Sequence, residues 1–310
     1  MGSGLLKLFA FLQKHRTPLI ITSCGGVFAA NMVYHVFPEH SHRRLYQAWY
    51  KGEQVPLSEK LQALFQQVLK DYGVGSPQNF SAFASFGFHP VAAGVPWFPA
   101  GALIGIPANF NSTADDPGGI TNRSIFINGE TVDWTSEAGS ALKDSLLFSE
   151  DSQKFAIARD VARLQCGGPV LNAAVAPLCL GGVWIYSAML KQMFGLHGGP
   201  LILRGAANGL SLCLGSASYI ISMEAVSNWI DRVSDRRAAQ VSQGYAKGGL
   251  EFYDKILSRN KTLRSLMGEK GKEVYAPSGN LFPGYVFQFR HTPYTSRRKG
   301  ILDLLNEEKS

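Results

Sequence analysis

The chain alternates between long uncharged apolar stretches and segments in which apolar residues recur at helical or strand spacing. Thr17 to Tyr34 carries no charge, Cys166 to Leu190 is uncharged and ends at Lys191, and Gly205 to Met223 is uncharged between Arg204 and Glu224. At about 1.5 Å of rise per residue, each reaches across or nearly across a hydrocarbon core of roughly 30 Å. The pattern therefore predicts a transmembrane helix over 17–37 and two more over 166–190 and 205–223. Ala173, Ala174, Gly181, Gly182, Gly209, Gly215 and Ser216 are small enough to let helix backbones approach closely. Because the loop 191–204 is short and basic, the last two helices are expected to form an antiparallel hairpin. A buried helical pair in a soluble core is the competing reading of the same residues.

Between the apolar stretches the period changes. Leu57, Leu61, Leu64, Phe65, Val68 and Leu69 fall on one face of a helix over 56–72. After a stretch rich in Gly, Pro and Phe, residues 102–110 and 124–134 read as strands around an Asn-Gly turn, with the polar loop NSTADDPGG between them. Ser149 is placed to cap a helix over 150–165, with Glu150 and Asp151 at its positive end. Residues 225–260 read as two helices broken near Gly244, Gly248 and Gly249. The expected fold class is mainly α with a small β-sheet (α+β). A basic segment 1–16 leads in, and a soluble domain split into 38–165 and 224–310 is interrupted by the membrane hairpin.

Charge adds an address. The net charge is +7 and the pI about 9.2, yet no basic run is interleaved with aromatics, so no nucleic-acid partner is expected. From Met1 to Pro38 there is no acidic residue, while Lys7, Lys14 and Arg16 alternate with Leu5, Leu6, Phe9 and Leu12. A cationic amphipathic leader of this kind is how a mitochondrial targeting region reads, and the basic flank of an ordinary anchor is the alternative. Lys7, Lys14, Arg16, Lys191 and Arg204 all lie beside span ends. In a three-span protein they would face the matrix, with inner-membrane lipid around the spans and the soluble blocks in the intermembrane space.

Candidate chemistry is sparse. Cys24, Cys166, Cys179 and Cys213 form no CxxC pair and are expected to be small buried hydrophobes. His35, His40 and His42 surround Glu39, but their spacing puts no three ligands on one helical face. His89, His197 and His291 stand alone and are expected to be structural, and there is no GxSxG nucleophile elbow.

Strands, a helix, a membrane hairpin, a helix carrying DRVSDRR, then GYAKGGLEFYDKI and HTPYTSRR follow one another in an order that resembles the membrane zinc metallopeptidases of the Oma and HtpX type. On that resemblance residues 159–163 (RDVAR) occupy the HExxH position and Asp231 to Asp235 (DRVSD) the ExxxD position, while His291, Pro293 and Arg297 are similar to the closing motif. Arg159 and Arg163 then stand where zinc-binding histidines would be, and Asp160 where the glutamate base would be. A guanidinium has no lone pair for a metal, so neither a metal site nor catalytic residues are expected there. The resemblance implies a zincin-like pseudo-peptidase in which at least one of Arg159 and Arg163 pairs with Asp231 or Asp235. A solvated helical face is the plainer reading of RDVAR.

Over nearly its whole length the chain also resembles the transmembrane protein 177 family, through KHRT, VAAGVPWFPAGALIGIPA, INGETVDW, QKFAIARDV, GLHGGP, GLEFYDKILS and PSGN followed by HTPYTSRR. That resemblance implies a non-catalytic protein of the mitochondrial inner membrane. It would associate with newly made cytochrome c oxidase subunit two and its assembly chaperone, without a cofactor. A membrane hydrolase using other residues is the alternative function.

Overall fold

A computed structural model describes Phe11 and residues 14–122, 124–196, 200–282 and 292–307. Lys7, His197, His291 and most of the basic leader fall outside the described residues. The chain divides into two units, one made of the described residues of Met1–Val33 and Val170–Val226, the other of Tyr34–Pro169 and the described residues of Ser227–Ser310.

Three helices are long and apolar enough to cross a membrane: α1 (Arg16–Val36), α5 (Gly168–Met193) and the greater part of α6 (Leu201–Ala239). Within the first unit α5 and α6 are antiparallel, since Ser187 Oγ donates to Asn208 Oδ1 at 3.2 Å while Val183 lies against Gly215. A Cβ on Gly215 would come within 1.9 Å of the Val183 side chain, so the missing side chain sets how closely the two helices approach. Gly182 and Gly209 have nothing within 4 Å, so of the four glycines the sequence suggested, Gly215 marks the tight contact. Cys24 on α1 donates to the Pro177 carbonyl of α5 at 3.4 Å, a carbonyl next to the proline ring. The cysteines are free; Cys24, Cys166 and Cys179 are half-buried and Cys213 is exposed, so none is the fully buried hydrophobe expected.

The second unit has a helical core with a small sheet. Helix α2 (Glu59–Asp71) starts at Ser58, whose Oγ accepts from the Leu61 N–H, and it buries Leu61, Leu64, Phe65, Val68 and Leu69, the predicted face. Three strands follow: β1 (Phe80–Ser85), β2 (Val91–Gly94) and β3 (Ala102–Pro107). The fully buried β3 lies in the middle, parallel to β1 with Phe80 opposite Ala102, and antiparallel to β2 with Val91 opposite Gly105. The Asn-Gly turn forms at Asn128 and Gly129, both with positive φ (55° and 86°) as a tight hairpin requires. It joins only two-residue strands, Phe126–Ile127 and Glu130–Thr131, outside the main sheet. Serines cap three further helices: Ser136 for α3 (Glu137–Leu146), Ser149 for α4 (Glu150–Gln165) and Ser242 for α7 (Gln243–Leu266). Short α8 (Glu269–Val274) and α9 (Tyr294–Glu307) complete the unit.

Helix α4 is its axis. It packs against β2, β3, α2 and α7, and α7 in turn packs on α3 and α9. Phe65, Ile104, Phe110, Phe155, Ile157, Phe252 and Tyr253 are almost inaccessible in this core. Such side chains contribute about 1.5–3 kcal/mol each by leaving water. The two helices expected across 225–260 form, but the chain turns at residues 240–242, just before Gly244, and all three glycines lie inside α7. A Cβ on Gly248 would come within 2.3 Å of the Asp151 backbone, and one on Gly249 within 2.8 Å of Phe155. These glycines are spent on close packing of α7 against α4.

Candidate functional site

The interior face of α4 presents Arg159 and Asp160 together. Asp160 is buried because nearly every position around it on this helix is buried, and Arg159 is the nearest cation on the chain. The Arg159 Nε and Nη2 both donate to Asp160 Oδ1, at 3.2 and 3.0 Å, and its guanidinium lies 5.4 Å from the centre of the Phe252 ring. Burial is the largest single influence and works against the Arg159 charge, but Asp160, Tyr253 and Asp235 together outweigh it and raise the guanidinium pKa. Asp160 Oδ2 has no hydrogen-bond partner among the described residues.

On α6, Asp231 and Asp235 are one helical turn apart and share a face, as their spacing requires. Their cation is Arg297 of α9. Its Nε donates to Asp235 Oδ2 at 2.6 Å and its Nη2 to Asp235 Oδ1 at 2.7 Å, a two-pronged pairing that suits the planar fork. Nη1 lies 3.3 Å from Asp231 Oδ2 as an ion pair. The Tyr253 hydroxyl donates to Asp235 Oδ1 at 2.7 Å, and its ring lies under the Arg297 guanidinium at 5.2 Å. Burial, against the opposing charge of Arg297 and with support from the Asp235 carboxylate, pushes the Tyr253 hydroxyl pKa well up, so it remains a donor.

The expected pairing of Arg159 or Arg163 with Asp231 or Asp235 therefore does not form. The three helices do bring Arg159, Asp160, Asp231 and Asp235 into one interior, where Arg159 senses the charges of Asp235 and Arg297. Arg159 is satisfied by its own neighbour before it reaches α6, and Arg297 fills the gap. Half-buried Arg163 takes part in no ion pair among the described residues; its carbonyl accepts from Cys166 Sγ at 3.2 Å.

A second layer lies across Phe252. The His89 ring meets Phe252 edge-on at 5.9 Å, and Arg259 Nη1 is 2.6 Å from His89 Nε2. Because arginine only donates, Nε2 carries the lone pair and the proton sits on Nδ1. Burial first, then the charges of Arg259 and Arg159, hold the imidazole well below its ordinary pKa, so it is neutral. Arg259 also donates to Asn260, which ties α7 to the Gly279 carbonyl. Arg159, Arg259 and Arg297 thus balance Asp160, Asp231 and Asp235 in charge. Sequence reasoning had placed Arg297 in a closing motif without a partner, and it did not single out Tyr253, Phe252, Arg259 or Asn260. The one available signal was a run of polar residues at core-facing positions of a helix.

The cluster's chemistry is that of a clamp. At 159 and 163 arginines offer no lone pair, and the carboxylates of Asp231 and Asp235 are held by Arg297. Among the described residues no group of three or more His, Cys, Asp or Glu is arranged to hold a metal. His35, His40 and His42 diverge. His35 Nδ1 accepts from the Gly94 N–H at 3.4 Å, His40 is exposed, and buried His42 contacts the Tyr34 hydroxyl at 2.5 Å. Glu39 between them pairs with Arg43.

No protein-family model matches the chain, and no solved structure matches it significantly. Curated relatives do. Transmembrane protein 177 of Danio rerio is 61% identical over 308 residues, covering 99% of both chains. The Xenopus laevis protein of the same name is 49% identical over 301 residues, covering 97% of both. The Homo sapiens one is 43% identical over 304 residues, covering 98% of this chain and 97% of its own. With identities this high from end to end, and three helices fit to cross a bilayer, the chain belongs to the transmembrane protein 177 family.

Proposed function

We propose that this membrane protein is a non-catalytic assembly or stability factor of the mitochondrial inner membrane. It associates with newly made cytochrome c oxidase subunit two and that subunit's chaperone, and its soluble unit is a pseudo-peptidase kept as a binding body. The observation that carries the non-catalytic reading is the ion cluster. At the positions where a membrane metallopeptidase would place two histidines and a glutamate stand Arg159, Asp160 and Arg163, and the facing aspartates are clamped by Arg297. A cation fixed in such an interior repels a divalent metal, and without one nothing there activates water. The mitochondrial address is supported by the acid-free leader, and the intermembrane-space placement by basic residues beside the span ends.

Affinity purification after mild detergent extraction, with and without labelling of newly translated mitochondrial products, tests the partner. Enrichment of fresh subunit two together with its chaperone is expected, and loss of both would remove the reading. Stoichiometric zinc in the purified protein with chelator-sensitive proteolysis would overturn its non-catalytic part.

A further inference from the structure

The second unit joins the apolar helices at three places, and its own contacts bring them together. The Gly94 N–H bonds His35 near the end of α1. A Cβ on Gly167, just before α5, would lie 3.5 Å from the Trp97 ring, and one on Gly168 would lie 3.3 Å from both Ile230 of α6 and the Arg163 side chain. The 94–98 turn, the start of α5 and the Trp229–Ile230 stretch of α6 therefore share one end of this unit. Large aromatic side chains stand uncovered there, with Trp97 56%, Trp229 51% and Phe37 55% exposed, and Arg232 is exposed beside them.

Exposed indoles in water are unfavourable, whereas an indole at a bilayer surface buries its ring among acyl chains and keeps its N–H wet. Resting on the reading of α1, α5 and α6 as membrane spans, we infer that Trp97, Trp229 and Phe37 form an interfacial anchor. They insert at the level of the lipid head groups and seat the soluble unit on the bilayer. Lipid is the fitting occupant because the patch is continuous with all three span ends. Arg163 and Arg232 add guanidinium groups that suit lipid phosphates.

The chain has five tryptophans, at 49, 97, 134, 184 and 229, so variants keeping one each, the others changed to Phe, read each position separately. The full-length protein is reconstituted in phosphatidylcholine vesicles with bromine near the head-group end of the acyl chains. Trp97 and Trp229 are expected to lose about half or more of their fluorescence, while Trp134, packed against Leu142 and Leu146, loses none. Quenching no greater than that of Trp134 overturns the anchor. Acrylamide then tells a patch left in water from one covered by protein, and both outcomes count against it. Trp184 lies within α5; if it too escapes the bromines, the spans themselves have failed rather than the anchor. Should the multiply substituted protein misfold, Trp97→Phe and Trp229→Phe made singly must each remove part of the lipid-quenched emission.

Discussion

Arg297→Ala is the sharpest perturbation of the clamp. It deletes two hydrogen bonds to Asp235, at 2.6 and 2.7 Å, and the ion pair to Asp231 at 3.3 Å. The guanidinium is 7% exposed and the two carboxylates 9% and 6%, so little water reaches the anions left behind. Removing one partner of a buried pair costs about 3–5 kcal/mol, chiefly the penalty of an uncompensated charge. Arg298 provides the matched control. It grips Asp254 with the same two-pronged geometry at 2.6 and 3.1 Å, but the side chains are 36% and 52% exposed. An exposed pair is worth under about 1 kcal/mol. At about 2–4 °C per kcal/mol, thermal unfolding of the detergent-solubilised protein, followed by circular dichroism, should shift down by roughly 6–20 °C for Arg297→Ala and by no more than about 4 °C for Arg298→Ala. Arg297→Lys should fall between, because it keeps the charge and loses the fork. Equal midpoints for the two alanine variants would refute the assignment of Arg297 as a buried clamp.

Gly248→Ala should destabilise by several kcal/mol, because the new methyl meets the Asp151 backbone, whereas Gly300→Ala on open α9 should stabilise by about 0.5–1 kcal/mol; chemical unfolding of the two variants compares them directly. Burial, over the opposing Val91 backbone interaction, holds His42 down at about 4 against an ordinary 6.5. Its contribution to stability is complete above about 6.5 and is lost as the pH falls towards about 4, at roughly 1.4 kcal/mol per pH unit, and His42→Gln should flatten that limb of a stability-against-pH curve. Protease added to mitoplasts should cut within 39–165 and within 225–310 together, and protection of one block alone would contradict the hairpin.

Much of this protein was legible along the chain. The uncharged stretches marked three membrane-length helices, because length and the absence of charge are local properties. The face of α2 followed from helical spacing, and the start of α4 from Ser149. What the sequence could not show was which groups meet. Strands β1 and β2 gain their stability from pairing with β3, and β2 also from packing on α4, so no local period announced them. Gly248 and Gly249 looked like helix breakers, since a missing side chain reads the same whether it frees a backbone or admits a neighbour; only the approach of α4 decided between them. Helical spacing placed Asp231 and Asp235 on one face, yet their partner came from Arg297, more than sixty residues on, while Arg159 turned to its own neighbour. Charge and spacing are written in the sequence, whereas the choice among several arginines of equal chemistry depends on which one the packing of α9 and Tyr253 holds within hydrogen-bond reach.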